Sequence, residues 1–297
     1  MEIHELKARL KEIAKTSNEE WMASLNKRKT KELEFHNRDR DKQAIATLDQ
    51  DAFDKFYSNR KFYSTVRKST EYHGAWIAGH AKDKVFLDYA CGNGGNAIKA
   101  AKAGAILSIG LDISNVSIMN AQKEAEANGL DNTFFFQADA ENTRLPDGCI
   151  DTIVCSGMLH HLDLSYAFPE LRRILAPKGR ILAIEALSYN PVIQLYRKLT
   201  PDMRTEWEKS HILSLKDIEF AKRFFNIGEI RYWHITSYAG AYFPKLLPLL
   251  DAIDSILVKL PIIKMMAWIF TFELMAKEGT TIQQSIRRSG LKTEKES

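Results

Sequence analysis

The stretch Val85-Phe-Leu-Asp-Tyr-Ala-Cys-Gly-Asn-Gly-Gly-Asn-Ala97 decides the fold: an apolar run ends in an acid and then opens into glycines. Val85, Phe86 and Leu87 are strand formers with no polar interruption, as in a parallel strand buried on both faces. Asp88 stands at the strand's carboxyl end. Gly92, Gly94 and Gly95 let the backbone bend sharply and let a ligand approach where a Cβ would clash. Asn96 to Ala103 are helix formers, and Gly104 supplies the stop. The free N–H groups of that helix therefore face the loop. By itself Gly92-x-Gly94-x-x-Ala97 also satisfies the dinucleotide pattern G-x-G-x-x-G/A, so the loop does not name its ligand.

The segments downstream repeat the alternation of strand and helix. Ala105-Ile-Leu-Ser-Ile-Gly-Leu111 reads as a second strand ending at Asp112, an acid placed to accept hydrogen bonds from both hydroxyls of a ribose. Thr133-Phe-Phe-Phe-Gln137 reads as a third, followed by Ala138-Asp139-Ala140, where an adenine amino group could be read. Ile150–Cys155 is the fourth and runs into Ser156-Gly-Met-Leu-His-His-Leu162. A helix carrying Leu171, Ile174 and Leu175 on one face is expected to end at Pro177-Lys-Gly179, with a fifth strand over Arg180–Glu185. Three acids at strand ends, in register with a glycine loop, are more than helix caps.

Over residues 84–187 this order resembles the class I S-adenosylmethionine-dependent methyltransferases. "LDYACGNGG" looks like their first motif and "GLDIS" like their ribose-binding acid. "QADAENTRLPDGCIDTIVCSGMLHHL" resembles their adenine-binding and fourth-strand segments, and "ELRRILAPKGRILAIE" their turn into the fifth strand. A nicotinamide enzyme gives no reason for these later motifs. One departure is Ala90, where the family usually has Gly. The resemblance implies an α/β fold: a Rossmann-like, doubly wound seven-stranded sheet with an antiparallel last strand, an N-terminal helical cap and helical insertions. It implies S-adenosylmethionine as cofactor, with Asp88, Ala90, Gly92, Gly94, Asp112, Ile113, Asp139, Ala140 and Ser156 around it.

Four regions are expected: a helical cap over 1–83, the cofactor-binding core over 84–187, insertions and the last two strands over 188–278, and a loose tail over 279–297. Ile3, Leu6, Leu10 and Ile13 form an apolar helical stripe, and a second helix should hold Trp21, Leu25 and Leu33. Lys31–Arg40 is so charged that it reads as a solvated helix face. Phe53–Tyr72 is rich in aromatics, read either as ordinary core or as a cap over the cofactor. In the cap reading Tyr57 and Tyr63 approach the sulfonium, whose charge an aromatic face stabilises. A helix over Leu215–Phe225 and strands over Asn226–Ser237 and Met265–Met275 complete the sheet. Residues 240–264 are apolar but broken by Pro244, Pro248 and Pro261, too short of the roughly 18 uncharged residues that span a bilayer. Leu246, Leu249, Leu250, Ile253, Ile256, Leu257 and Leu260 share a helical face that covers the substrate pocket, packs as core or lies on a membrane surface.

The 297-residue chain is mildly basic at +4, with its lysines and arginines interleaved with acids, so a nucleic-acid partner is not indicated. Met1–Lys15 has no apolar run of the secretory kind. Cys91, Cys149 and Cys155 lack metal spacing, and Cys91 reads as a packing residue, so a cytoplasmic, metal-free protein is expected, with membrane association left open through 240–264. Methyl transfer from a sulfonium is an in-line displacement in which orientation supplies about 7–11 kcal/mol of the barrier. A general base is needed only where the acceptor must lose a proton. His161 and His160, in the turn after the fourth strand, are the first candidates, and His211 the next. Glu185 either binds substrate or caps a turn. The expected acceptor is a small hydrophobic or amphipathic compound methylated on oxygen, with nitrogen and carbon as the lesser alternatives. An RNA or protein methyltransferase, and a non-catalytic S-adenosylmethionine-binding protein, are the rivals.

Overall fold

The computed structural model describes residues 1–277; the expected tail over 279–297 lies outside them. Helices come first: α1 (Ile3–Ile13), α2 (Asn18–Ala23), α3 (Lys27–Arg40), α4 (Lys42–Ala46), α5 (Gln50–Tyr57), α6 (Arg60–Tyr63) and α7 (Arg67–Ala81). The alternating part follows, as β1 (Val85–Tyr89), α8 (Gly95–Lys102), β2 (Leu107–Asp112), α9 (Asn115–Ala127), β3 (Thr133–Gln137), β4 (Ile150–Ser156), α10 (Leu164–Ile174) and β5 (Leu175–Ala186). Then come α11 (Pro191–Leu199), α12 (Glu206–Ser210), α13 (Leu215–Ala221), β6 (Phe225–Trp233), α14 (Leu247–Leu257) and β7 (Ile269–Ala276).

Among the described residues the strands form one seven-stranded sheet in the order β3-β2-β1-β4-β5-β7-β6. The first five are parallel, and β7 enters antiparallel to both β5 and β6. Order reverses between β1 and β4, where open α/β sheets leave a crevice beyond the strands' carboxyl ends. The apolar runs seen in the sequence are buried on both faces: every residue of β1 and of β2 is buried. Phe136, Phe168, Phe225, Phe270 and Phe272 fill the core beneath them.

Several boundaries move. The helix expected to hold Trp21, Leu25 and Leu33 is two helices, because Ser17 and Glu20 form a capping box for α2 and Asn26 caps α3 anew. Leu175 belongs to β5, since α10 stops at Ile174. β6 ends at Trp233 because His234 turns into the left-handed region at φ +64°. β7 starts at Ile269, four residues later than the apolar run suggests, after a 3-10 turn over Ile263–Met266. Lys31–Arg40 is not a solvated face: Glu32 and Leu33 are buried, and α3 lies over the ends of the strands. Among the described residues no helix is long and apolar enough to cross a membrane.

Candidate active site

Two adjoining cavities open at the carboxyl ends of the strands. The first, about 670 Å³ with its mouth, runs along the glycine loop between Asp112, Ile113, Asp139, Ala140 and Ser156, and α3 roofs it with Arg28, Lys29, Glu32, His36 and Arg40. The second, about 1680 Å³, is walled by α3, α5, α6 and α7, with Phe56, Tyr57, Tyr63 and Trp268 among its aromatics. His36, Arg40, Ser156, Gly157 and His161 border both.

The loop between β1 and α8 is held by two buried acids. Asp88 Oδ2 accepts from Ala97 N at 3.1 Å and Oδ1 from Asn96 Nδ2 at 3.2 Å. Burial raises its pKa to about 7, against the opposing pull of those donors. Asp112 Oδ2 accepts from Gly92 N and Oδ1 from Ser114 N, both at 2.8 Å. Its carboxyl too is pushed up by burial, with the two backbone donors opposing. Two lone pairs per oxygen leave Asp112 able to accept ribose hydroxyls as well. Asp88 and Gly94 line neither cavity; Gly94, at φ +78°, caps α8 and forms the turn.

Asp139 and Glu141 are engaged by α3. Lys29 Nζ lies 2.5 Å from Asp139 Oδ2 and 2.9 Å from Glu141 Oε2, and Arg28 reaches Glu141 at 2.5 Å. Burial works against the Lys29 cation, but the two carboxylates outweigh it and raise its pKa. At the other end of the roof, Arg40 lies over the loop, its guanidinium 3.6 Å from where a Cβ on Gly92 would stand. Arg40 Nε is buried with no hydrogen-bond partner. An orphaned cationic donor above a bare glycine fits the carboxylate end of an amino-acid-bearing cofactor, and the cavity beside Asp112 fits its nucleoside.

The histidines sit at the junction. His160 Nδ1 lies 2.7 Å from Glu185 Oε2, while Glu185 Oε1 accepts from the N–H groups of Met158 and Leu159. Glu185 therefore caps the turn after β4 rather than the one after its own strand. His161 Nδ1 lies 3.0 Å from Glu32 Oε2, and its ring centroid is 4.8 Å from that of His36. Burial alone would lower the His161 pKa, but Glu32 and the other acids nearby raise it. His36 is driven well below its ordinary value first by burial and then by His161, Arg40 and His160 around it. Among the described residues two donor trios, Glu32–His36–His161 and His160–His161–Glu208, are compact enough to hold a metal ion, although hydrogen bonds already pair His161 with Glu32 and His160 with Glu185.

The other candidates lie elsewhere. Tyr63 stands at the rim of the larger cavity, 5.9 Å from the Trp268 ring, and not in the cavity of the glycine loop. Tyr57 is buried in the wall of that larger cavity. His211 is exposed, stacked on Trp207 at 3.6 Å, and borders neither cavity. Cys91 is buried behind the loop with its thiol pushed well up by burial, so it packs. Sequence reasoning missed Arg40, His36 and Glu32. The i, i+4 spacing of Glu32 and His36 was the available signal, hidden by a run of charges with no apolar periodicity.

A family described as "Methyltransferase domain" matches residues 86–179. Residues 86–179 carry a methyltransferase domain of the class I S-adenosylmethionine-dependent kind. Within this methyltransferase family, the demethylmenaquinone methyltransferase of Thermus thermophilus is 36% identical over 105 residues, 34% of this chain and 47% of that one. The ribosomal protein L11 methyltransferase of Methylobacillus flagellatus is 35% identical over 108 residues, covering 36% of this chain and 34% of its own. The chain thus spans less than half the length of these relatives, and the match is confined to the methyltransferase core. The crystal structure of the magnesium protoporphyrin IX methyltransferase of Synechocystis, with S-adenosylhomocysteine bound, superimposes with a TM-score of 0.56 at 18% identity, over 84% of this chain and 100% of that one. That likeness confirms the class I methyltransferase fold, antiparallel β7 included.

Proposed function

We propose that this protein transfers a methyl group from S-adenosylmethionine to an oxygen of a small amphipathic acceptor seated in the larger cavity. The observation that carries the reading is the shared wall: His36, Arg40, Ser156, Gly157 and His161 border both the cavity of the glycine loop and the one beside it. A donor in the first and an acceptor in the second meet only there. When bound, the cofactor supplies a methyl group already activated on a sulfonium. Asp112 takes the ribose hydroxyls, Ile113, Asp139 and Ala140 border the adenine, and the backbone of Ala90 and Gly92 with Arg40 holds the amino-acid end. Asp88 and Gly94 shape the loop from behind.

The acceptor's chemistry follows from the second cavity. Aromatic rings line it, and two guanidiniums are laid on such rings: Arg38 stands 4.7 Å over Phe56, and Arg60 4.3 Å over Tyr57. Among the described residues Arg38 has no carboxylate partner. An acceptor with an apolar body and an oxygen-rich or anionic end suits both features. Of the two imidazoles at the junction, His36 is the neutral one at pH 7 and His161 the one that favours its proton. Together they can take a proton from a hydroxyl and hold it near Glu32, the role the turn after β4 suggests for His161.

Calorimetric titration of S-adenosylhomocysteine into the wild type and Asp112→Ala tests the cofactor site. Micromolar binding that is lost in the variant is expected, and equal binding in both would remove Asp112 from the site. Turnover of His161→Ala against an acceptor library tests the chemistry: kcat should fall about 10²-fold or more with cofactor affinity intact. Methylation of ribosomal protein in place of any small acceptor would overturn the acceptor assignment.

A further inference from the structure

Helix α14 is built inside out. Between residues 240 and 267 the acids are Asp251 and Asp254, and both are buried. Asp251 pairs with Arg67 at 2.9 Å, and Lys68 clamps its carbonyl oxygen at 2.6 Å. Asp254 accepts from the N–H groups of Ile235, Thr236 and Ser237 and from the Thr236 hydroxyl. The polar stripe thus faces the protein, and the apolar stripe faces outward. Leu249 is 59% exposed, Ile256 65% and Ile262, just beyond the helix, 85%. A surface helix normally does the reverse.

The outward face is larger than one helix. On α11, Leu195 is 58% and Leu199 72% exposed. Asn190, which caps α11, donates to the Met266 carbonyl at 2.6 Å, and Phe62 of α6 touches Tyr196 of α11 and Tyr242 ahead of α14. The two apolar segments therefore adjoin through α6, whose Arg60 and Tyr63 line the larger cavity. None of residues 240–264 lines either cavity, so this stretch is no pocket lid. Nor is it core.

Charge says what covers it. The exposed ionic side chains of the two segments are cations, Lys198, Lys245 and Lys259, and neither 188–201 nor 240–267 exposes an acid. A second copy of the chain docked through the same face would set lysine against lysine, since Asp202, just past α11, is already paired with Lys55 at 3.5 Å. We propose that α11 and the 242–263 segment form a docking face for an anionic lipid bilayer, the apolar side chains entering the interface and the lysines meeting the headgroups. An amphipathic acceptor would then reach the larger cavity from the membrane past α6.

The test is flotation of the full-length protein with vesicles of phosphatidylglycerol and phosphatidylcholine, and with phosphatidylcholine alone, at low and high salt. Binding to the anionic vesicles, weakened by salt, is expected. Leu249→Glu/Ile256→Glu should lower it about tenfold or more with the melting temperature unchanged, because both side chains already face water. Failure to float with either vesicle, or equal flotation of the double variant, would overturn the proposal. So would a dimer in light scattering that the same substitutions dissolve, since the face would then belong to a second copy. The readout is independent of the cofactor, so it stands or falls separately from the methyltransferase reading.

Discussion

Ala90 adopts a left-handed conformation, φ +59°, at the point where the chain leaves β1 for the glycine loop. For a residue with a Cβ this costs about 1–2 kcal/mol, whereas glycine accepts the conformation freely. Ordinarily Ala→Gly costs stability through the unfolded chain, by about 0.4–1 kcal/mol. Here the relieved strain exceeds that loss. Ala90→Gly is therefore expected to be neutral or stabilising by up to about 1 kcal/mol, raising the melting temperature by about 2 °C. A loss of several degrees would show that the methyl group's packing outweighs the strain. The glycine loop was legible because its spacing announces it, although Asp88 and Gly94, read as cofactor contacts, line neither cavity and shape the loop from behind. His36 and Arg40 were not, since nothing local distinguishes a charge that faces a cavity from one that faces water.

His234 and His73 give a pH signature to the elements they join. His234 closes β6 and is held between the hydroxyls of Ser69 on α7 and Ser237, each at 2.8 Å. Burial lowers its pKa to about 4, with Asp254 and Asp251 opposing. His73, also on α7, is lowered to about 4 by burial and by Lys99, and its Nε2 has no partner. With folded values near 4 and an unfolded value near 6.5, the unfolded chain binds more protons throughout that window, so stability falls as pH drops through it. Each imidazole should account for about 2 kcal/mol of the loss between pH 7 and pH 5. Urea unfolding at the two pH values should show a smaller difference in His234→Gln than in the wild type; an equal difference would assign the loss to other groups. The same α7–α14 region shows what a sequence pattern conceals. The apolar stripe of α14 was plain, but a stripe does not say whether it turns inward, and only the partners of Asp251 and Asp254 decide that. At β5 and β6, tertiary pairing extended or cut strands that propensity had bounded differently, whereas the parallel core from β1 to β4 kept its sequence limits to within two residues.

Across the whole molecule, the N-terminal helices and the sheet are joined over the candidate active site by α3. Its grip is mostly polar: Lys29 and Arg28 on Asp139 and Glu141, Glu32 on His161, and Asn37 on Ser114 and Asn115. Leu33 is its one fully buried apolar side chain. Burial of apolar area sets the cost of local opening, so a helix held this way detaches far more cheaply than β1 or β2. Detachment would also open a route for the cofactor, because α3 roofs the cavity of the glycine loop. Hydrogen exchange should therefore show α3 amides opening well below the global free energy, and faster at high salt, which screens the partly exposed pairs. S-adenosylhomocysteine should slow exchange over 27–40 as well as over the glycine loop, since a ligand filling the cavity gives α3 the contacts it lacks. Protection confined to residues 90–97 and 112–114 would make α3 a fixed wall, and the cofactor's route would then have to run through the larger cavity.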